Sequence, residues 1–239
     1  MKTVFVITSA IATKHGVFTP EQRLEQTVNT LTSIRQRTTD AYLLILDSSM
    51  ERALNQEEKG KLLANADAII DLHTDQDIKA IYDNVESHDI VKNQSEMIIL
   101  SKGFSYVRAH LKEYDRVFKI SGRYELTDNF NISLYDQPEL KGKFVVKRRF
   151  ASQFPANLTG GISAQFMCRL YSFPYDRLTE MVNAHTNMLM AFSHNIQRGI
   201  YTDLEHSLFR QFGNSPSTAE VETIGVRGIL GPNGVAVED

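Results

Sequence analysis

The segment Ser121-Gly122-Arg123-Tyr124 follows directly on a β-branched and aromatic run, Arg116 to Ile120. In an extended chain Val117, Lys119, Ser121 and Arg123 share one parity, so two cations and a hydroxyl fall on one side. Arg123 offers the planar fork that suits bidentate contact with a phosphate, and Gly122 would let a ligand approach the backbone closely. The competing reading is an edge strand with a solvated lysine and a structural arginine. A second basic run, Lys147-Arg148-Arg149, sends Lys147 and Arg149 to one side and Arg148 to the other. Charge runs are usually solvated surface, so Arg149 is an additional candidate for phosphate contact rather than a leading one.

Carboxylates mark a third place, Thr202-Asp203-Leu204-Glu205-His206. Asp203 and His206 are three apart and share a helix face. Either Asp203 or Glu205 could act as a general base, and Asp203 with His206 could hold a metal. The structural alternative is a helix start, with Thr202 and Glu205 as a capping box and Asp203 at the positive helix end. Two further polar groups follow apolar runs: Thr8-Ser9 and Asp47-Ser48-Ser49. Asp47 could accept hydrogen bonds from a ribose or a base, or simply cap a turn. His185 sits inside an apolar helical stripe and reads as a core residue, and Cys168 reads as a packing residue.

The elements that must position these groups alternate in type. Thr3 to Thr8 reads as a buried strand, and Thr19-Pro20-Glu21-Gln22 as a capped helix start. Leu24, Thr27, Val28, Leu31 and Ile34 follow at helical spacing, and Ala41 to Leu46 is a second buried strand without polar alternation. That favours a parallel sheet covered on both faces. A helix over 56–65, a strand from Ala68 to Leu72, and an amphipathic helix over 93–111 come next. Beyond Arg116 to Ile120, strands are expected over Phe144–Lys147 and Ser163–Ser172. Helices are expected through Leu178–Phe192 and from Thr202 to Phe212, then a strand and turns from Ile224. The fold class is α/β, three-layered, with a mostly parallel central sheet and helices on both faces. In such sheets ligands gather at the carboxyl ends of the strands. The reading is one domain over 1–239.

Composition narrows the function. The 239 residues carry 26 Lys and Arg against 29 Asp and Glu, a net charge of −3, with 42% hydrophobic residues. A chain of that balance can bury a core and is no nucleic-acid coat. The lone Cys168 excludes a disulfide framework and a cysteine-rich metal site. No run approaches the ~20 apolar residues of a membrane span, so no integral membrane segment and a cytoplasmic location are expected. GxGxxG, GxxxxGK[ST] and GxSxG are all absent.

Over about residues 2–235 the order of elements resembles a GT-A-type glycosyltransferase, the nucleotide-diphospho-sugar transferase fold. The resemblance implies a nucleotide-binding half over 1–125 and an acceptor-side half over 126–239, with Thr8, Ser9 and Ala10 opening a nucleotide site and Asp47 holding the base or ribose. It places Lys119, Ser121, Gly122 and Arg123 at the diphosphate, and Asp203 or Glu205 as the acceptor base of an inverting enzyme, with His206 beside them. Gly160-Gly161 resembles the small-residue turn ahead of the acceptor region. One motif departs: the family's Asp-x-Asp, which holds a divalent metal, is replaced by Ser121-Gly122-Arg123-Tyr124, with Glu125 and Asp128 off its spacing. No metal ligands are therefore assigned, and Arg123 would neutralise the leaving diphosphate instead. The implied partners are a nucleotide sugar and an acceptor (glycan, lipid-linked or protein). Two rival readings are a non-catalytic nucleotide- or glycan-binding protein and a nucleotidyltransferase that releases pyrophosphate.

Overall fold

The computed structural model describes residues 1–239. Strand β1 (Thr3–Ser9) leads to helix α1 (Pro20–Arg37), β2 (Ala41–Asp47), α2 (Gln56–Leu63), β3 (Ala68–Asp71), α3 (Gln76–Asn84) and α4 (His88–His110). Strands β4 (Arg116–Ser121) and β5 (Tyr124–Leu126), the short α5 (Pro138–Lys141), β6 (Phe144–Lys147), β7 (Phe150–Ala151), β8 (Ala164–Gln165) and β9 (Leu170–Pro174) follow. The chain ends with α6 (Leu178–Gln197), α7 (Leu204–Phe212), β10 (Thr218–Val221), β11 (Val226–Ile229) and β12 (Ala236–Glu238).

Seven strands form the central sheet in the order β10-β6-β9-β4-β1-β2-β3. The pairs β1–β2, β1–β4, β2–β3 and β6–β10 are parallel, while β9 runs antiparallel between β4 and β6. Alternation along the buried strands sorts the core into two. Val4, Val6, Leu44, Leu46 and Val117 face α4, α6 and α7, whereas Phe5, Ile7, Leu43, Ile45 and Phe118 face α1 and α2. This is the expected three-layer α/β architecture. No helix is long and apolar enough to cross a membrane.

The Thr19 cap of α1 forms as its sequence suggests: Gln22 N–H donates to Thr19 Oγ1 at 3.3 Å and Thr19 N–H to Gln22 Oε1 at 2.9 Å. Other expectations are corrected. Helix α4 starts at His88, five residues before Asn93, and α3 and β10 are additional elements. The run Ser163–Ser172 is split, because β8 pairs with β7 while β9 joins β4 and β6. The break serves the sheet: Lys119 Nζ donates to Cys168 O at 2.7 Å and Ser121 N–H to Arg169 O at 3.1 Å. Helix α7 is capped by Asp203, not Thr202, since Asp203 Oδ1 accepts His206 N–H at 2.8 Å.

Candidate functional site

A cleft enclosing ≈ 860 Å³, part of it open to solvent, lies at the carboxyl ends of β1 and β4. Its floor is Thr8, Ser9 and Ala10, with Ser121 and Arg123 beside them. One wall is the first half of α4, which presents His88, Val91, Lys92, Ser95, Glu96 and Ile99 at helical spacing. The opposite wall is the loop after β1 (Thr13, His15 and Gly16), backed by Arg23 of α1 and by Gly231 and Pro232 near the C-terminus. Of the positions marked in the sequence, the cleft thus gathers Thr8, Ser9, Ala10, Ser121 and Arg123.

Three marked residues support the cleft from beneath rather than line it. Asp47 is fully buried; Ile11 N–H donates to Oδ2 at 3.3 Å and Ser49 N–H to Oδ1 at 3.0 Å. It braces the loop that forms the floor, which corrects the expectation of direct ligand contact. Burial pushes its carboxyl above the usual range, and the Ser49 hydrogen bonds oppose that. Lys119 is also fully buried, and its Nζ donates to Glu96 Oε1 at 2.7 Å and Ser121 Oγ at 2.8 Å. It fixes two cleft residues from behind instead of meeting a phosphate. Burial alone would raise the Glu96 carboxyl, but Lys119, Lys92 and Arg123 outweigh it and hold the group below its ordinary value. Gly122 allows a close approach by the protein itself: a Cβ there would stand 3.0 Å from Thr27 Oγ1 and 3.2 Å from Thr8 O.

The cations of the cleft differ in their partners. Arg23 is buried and donates only to backbone carbonyls, those of Phe18, Ala10 and His15. Burial, then the nearby Arg123, lowers its guanidinium to about 10. The Arg123 guanidinium lies against Gly231, where a Cβ would stand 3.1 Å from its Cζ, and its Nε is buried without an acceptor. His15 Nε2 and Ser95 Oγ are buried without partners too, so three of the seven such atoms in the molecule belong to cleft residues. Buried polar atoms are normally paired, and their concentration here is what a polar ligand would relieve.

Helix α7 meets α4 next to the cleft, where Leu204 N–H donates to Asn93 Oδ1 at 2.8 Å. Glu205 is the largest influence raising the Lys92 ammonium, ahead of burial, which lowers it. Burial raises the half-buried Glu205 carboxyl, with Lys92 opposing and Asp203 adding to the rise. Asp203 Oδ1 is shared between the His206 N–H and His206 Nδ1, the latter at 2.6 Å, and His206 Nε2 lies 2.8 Å from Ser152 Oγ. Both ring nitrogens of His206 are therefore engaged, which corrects the idea of an Asp203–His206 metal pair. Arg149 lies outside the cleft, bonded through Nε to Glu220 Oε1 at 2.7 Å and stacked 4.9 Å from the Phe209 ring centre. Its neighbours are paired as well, Lys147 with Asp239 and Arg148 with Glu222.

The position of the metal motif does not fit a divalent cation. Ser121 Oγ is occupied by an ammonium, Arg123 is itself a cation, Glu125 pairs with Arg227 and Asp128 with Arg37. No group of three His, Cys, Asp or Glu side chains is placed to hold a metal ion.

No protein-family description matches the chain, and no curated protein matches it. Among solved structures, the glycosyltransferase GlyE of Streptococcus pneumoniae TIGR4 is similar over 93% of this chain, with a TM-score of 0.52 and 10% identity. The fold is glycosyltransferase-like. The match spans 45% of GlyE's own chain, and at that identity it speaks for the fold alone. Sequence reading missed Arg23, Lys92, Glu96, His15 and His88. Arg23 is legible only as the polar neighbour of Leu24, and Lys92 and Glu96 only as an i,i+4 pair near the start of α4.

Proposed function

We propose that the cleft binds the diphosphate of a nucleotide-activated sugar and that the protein transfers the sugar to an acceptor hydroxyl. The observation that carries this reading is the cleft itself: buried Arg123 Nε, His15 Nε2 and Ser95 Oγ have no partner, and Arg23 beside them is a second cation bonded to carbonyls but to no carboxylate. An anion with several oxygens satisfies them all, whereas a neutral apolar ligand satisfies none. The fold-level likeness to a glycosyltransferase supports a sugar donor over other diphosphates.

In this reading the backbone of Thr8–Ala10 lies under the nucleoside and Asp47 keeps that floor in place. Arg123 and Arg23 face the diphosphate and stabilise the negative charge that develops as the sugar–oxygen bond breaks. Glu96, held ionised by Lys119, accepts hydrogen bonds from donor hydroxyls. Glu205, on the first turn of α7 beside α4, takes the proton of the acceptor hydroxyl: its raised carboxyl is the better base near neutrality. Asp203, with one oxygen committed to capping α7 and to His206, positions that helix start.

Binding of UDP, GDP and their sugar conjugates, and hydrolysis of the conjugates, would be measured with magnesium or manganese and with EDTA. Saturable binding together with slow donor hydrolysis is expected. Absence of binding at millimolar ligand would sink the proposal. A second reading, a non-catalytic binding protein, is favoured by the commitment of Asp203 to the cap. It predicts binding without turnover by the wild type, unchanged in Glu205→Gln, whereas the transferase reading predicts that Glu205→Gln loses hydrolysis and keeps binding.

A further inference from the structure

Two histidines stand in the cleft wall, neither of them marked by the sequence reading. His15, in the loop after β1, and His88, the first residue of α4, are stacked with ring centroids 4.8 Å apart and 24° between planes. The Tyr82 ring meets His15 edge-on at 5.4 Å. The loop is held in this shape by Gly16, at φ +83°, where a Cβ would stand 2.6 Å from Arg23 Nη2. Arg23 Nη2 in turn donates to His15 O at 2.5 Å. His15 Nε2 is therefore buried in a fixed place without a hydrogen-bond partner.

The charges around the pair come from every neighbouring element. His15 is faced by Lys14 of its own loop, Arg23 of α1, His88 of α4 and Glu51 of the loop after β2. Glu51 is already engaged, since Tyr82 Oη donates to it at 2.6 Å. His88 is faced by Asp89 and Lys92 of α4, Arg23 of α1 and Arg123 after β4. Burial first, and then the excess of cations, holds both rings below the ordinary histidine range. At neutral pH the cleft thus presents two neutral stacked rings beside two guanidiniums.

A diphosphate reverses that balance, because its negative charges favour the protonated ring. We propose that His15 and His88 are the proton-taking part of the cleft: one proton from solvent settles on the stacked pair as a diphosphate binds between Arg23 and Arg123, and His15 Nε2–H donates to a phosphate oxygen. No covalent bond forms or breaks. The inference rests on the donor-binding reading above and adds to it a pH-dependent hold on the ligand. Affinity rises as pH falls through the bound-state histidine range, and donor binding draws protons from the buffer.

Calorimetric titration with UDP-glucose and with GDP-mannose tests this, because the diphosphate diester of such donors does not titrate near neutral pH. Titrations at pH 7 in buffers of differing ionisation enthalpy give the proton uptake directly. We expect an uptake of about 0.3–1 proton per ligand, and a ~2–10-fold tightening from about pH 7.5 to 6.5. The His15→Gln, His88→Gln double variant is expected to bind with no uptake and a flat pH dependence. Wild-type binding without uptake overturns the inference and leaves the donor reading standing, as does uptake that persists in the double variant. Binding of neither sugar nucleotide overturns both.

Discussion

Two basic clusters follow β4 and β6, strands of one sheet separated by β9 alone, and their arginines end in opposite circumstances. At the end of β6 and just beyond it, Lys147, Arg148 and Arg149 each meet a carboxylate, from Asp239, Glu222 and Glu220. After β4, Arg123 meets none, and its buried Nε faces the cleft wall shared with Arg23 and His15. The histidines repeat the contrast. His185 Nδ1 donates to Met181 O at 2.8 Å and its Nε2 lies 3.1 Å from Tyr171 Oη, whereas His15 Nε2 has no partner. What separates a binding group from a structural one here is a missing partner, and charge or residue type alone does not reveal it.

The contrast can be broken most severely at Lys119, the partnered cation beneath the cleft. Lys119→Met leaves the half-buried Glu96 without its closest counter-charge, and denaturant unfolding is expected to show a loss of about 3 kcal/mol, the low end for a buried pair because Glu96 reaches the cleft. A change within experimental error would mean that the pair does not hold the site together. For the partnered histidine the sign follows from burial, which lowers the folded-state His185 value to about 4 from 6.5. The unfolded chain takes up the proton first. The stability contributed by the neutral ring is full above pH 6.5 and is lost as pH falls toward about 4, by ~3 kcal/mol. Unfolding curves of wild type and His185→Gln across that window check this: the wild type should show the steeper decline with falling pH.

At the unpartnered arginine the effect moves from stability to binding. Arg123→Ala is expected to weaken nucleoside diphosphate binding by ~30–100-fold, about 2–3 kcal/mol, with little change in melting temperature. A melting point that falls while affinity holds would reverse the assignment. The smallest effect belongs to Arg149→Ala. Loss of its contact with Glu220 and its stacking on Phe209 is expected to cost about 1 kcal/mol of stability, with ligand affinity unchanged in calorimetry.

The framework of the fold was legible because its signals are local. The Thr19–Gln22 cap, the unbroken apolar run Ala41 to Leu46 and the strand before Ser121 each follow from neighbouring residues. The floor of the cleft was legible for the same reason, since Thr8, Ser9, Ser121 and Arg123 all stand at or just beyond strand ends. Which way a group points was not. Lys119 and Arg123 share a parity in the chain, yet the turn at Gly122 leaves one sealed against Glu96 and the other lining the cleft. Asp47 has the same strand-end address as Ser9 but spends both oxygens on backbone N–H groups. Arg23, Lys92 and Glu96 lie on helices whose spacing reports an apolar face, and nothing local says that their polar side meets a strand end. The paired fate of Lys147–Arg149 depends on β10 and the last residue of the chain, seventy and more positions away.

The proposed hold on a nucleoside diphosphate in this cleft is by the chain's own cations. Its most direct test is the titration of wild type and Arg123→Ala with UDP and GDP in EDTA. Saturable binding by the wild type in EDTA, reduced by ~30-fold or more in the variant, is the expected result. Binding that appears only when a divalent metal is restored, or that is equal in the two proteins, would contradict it.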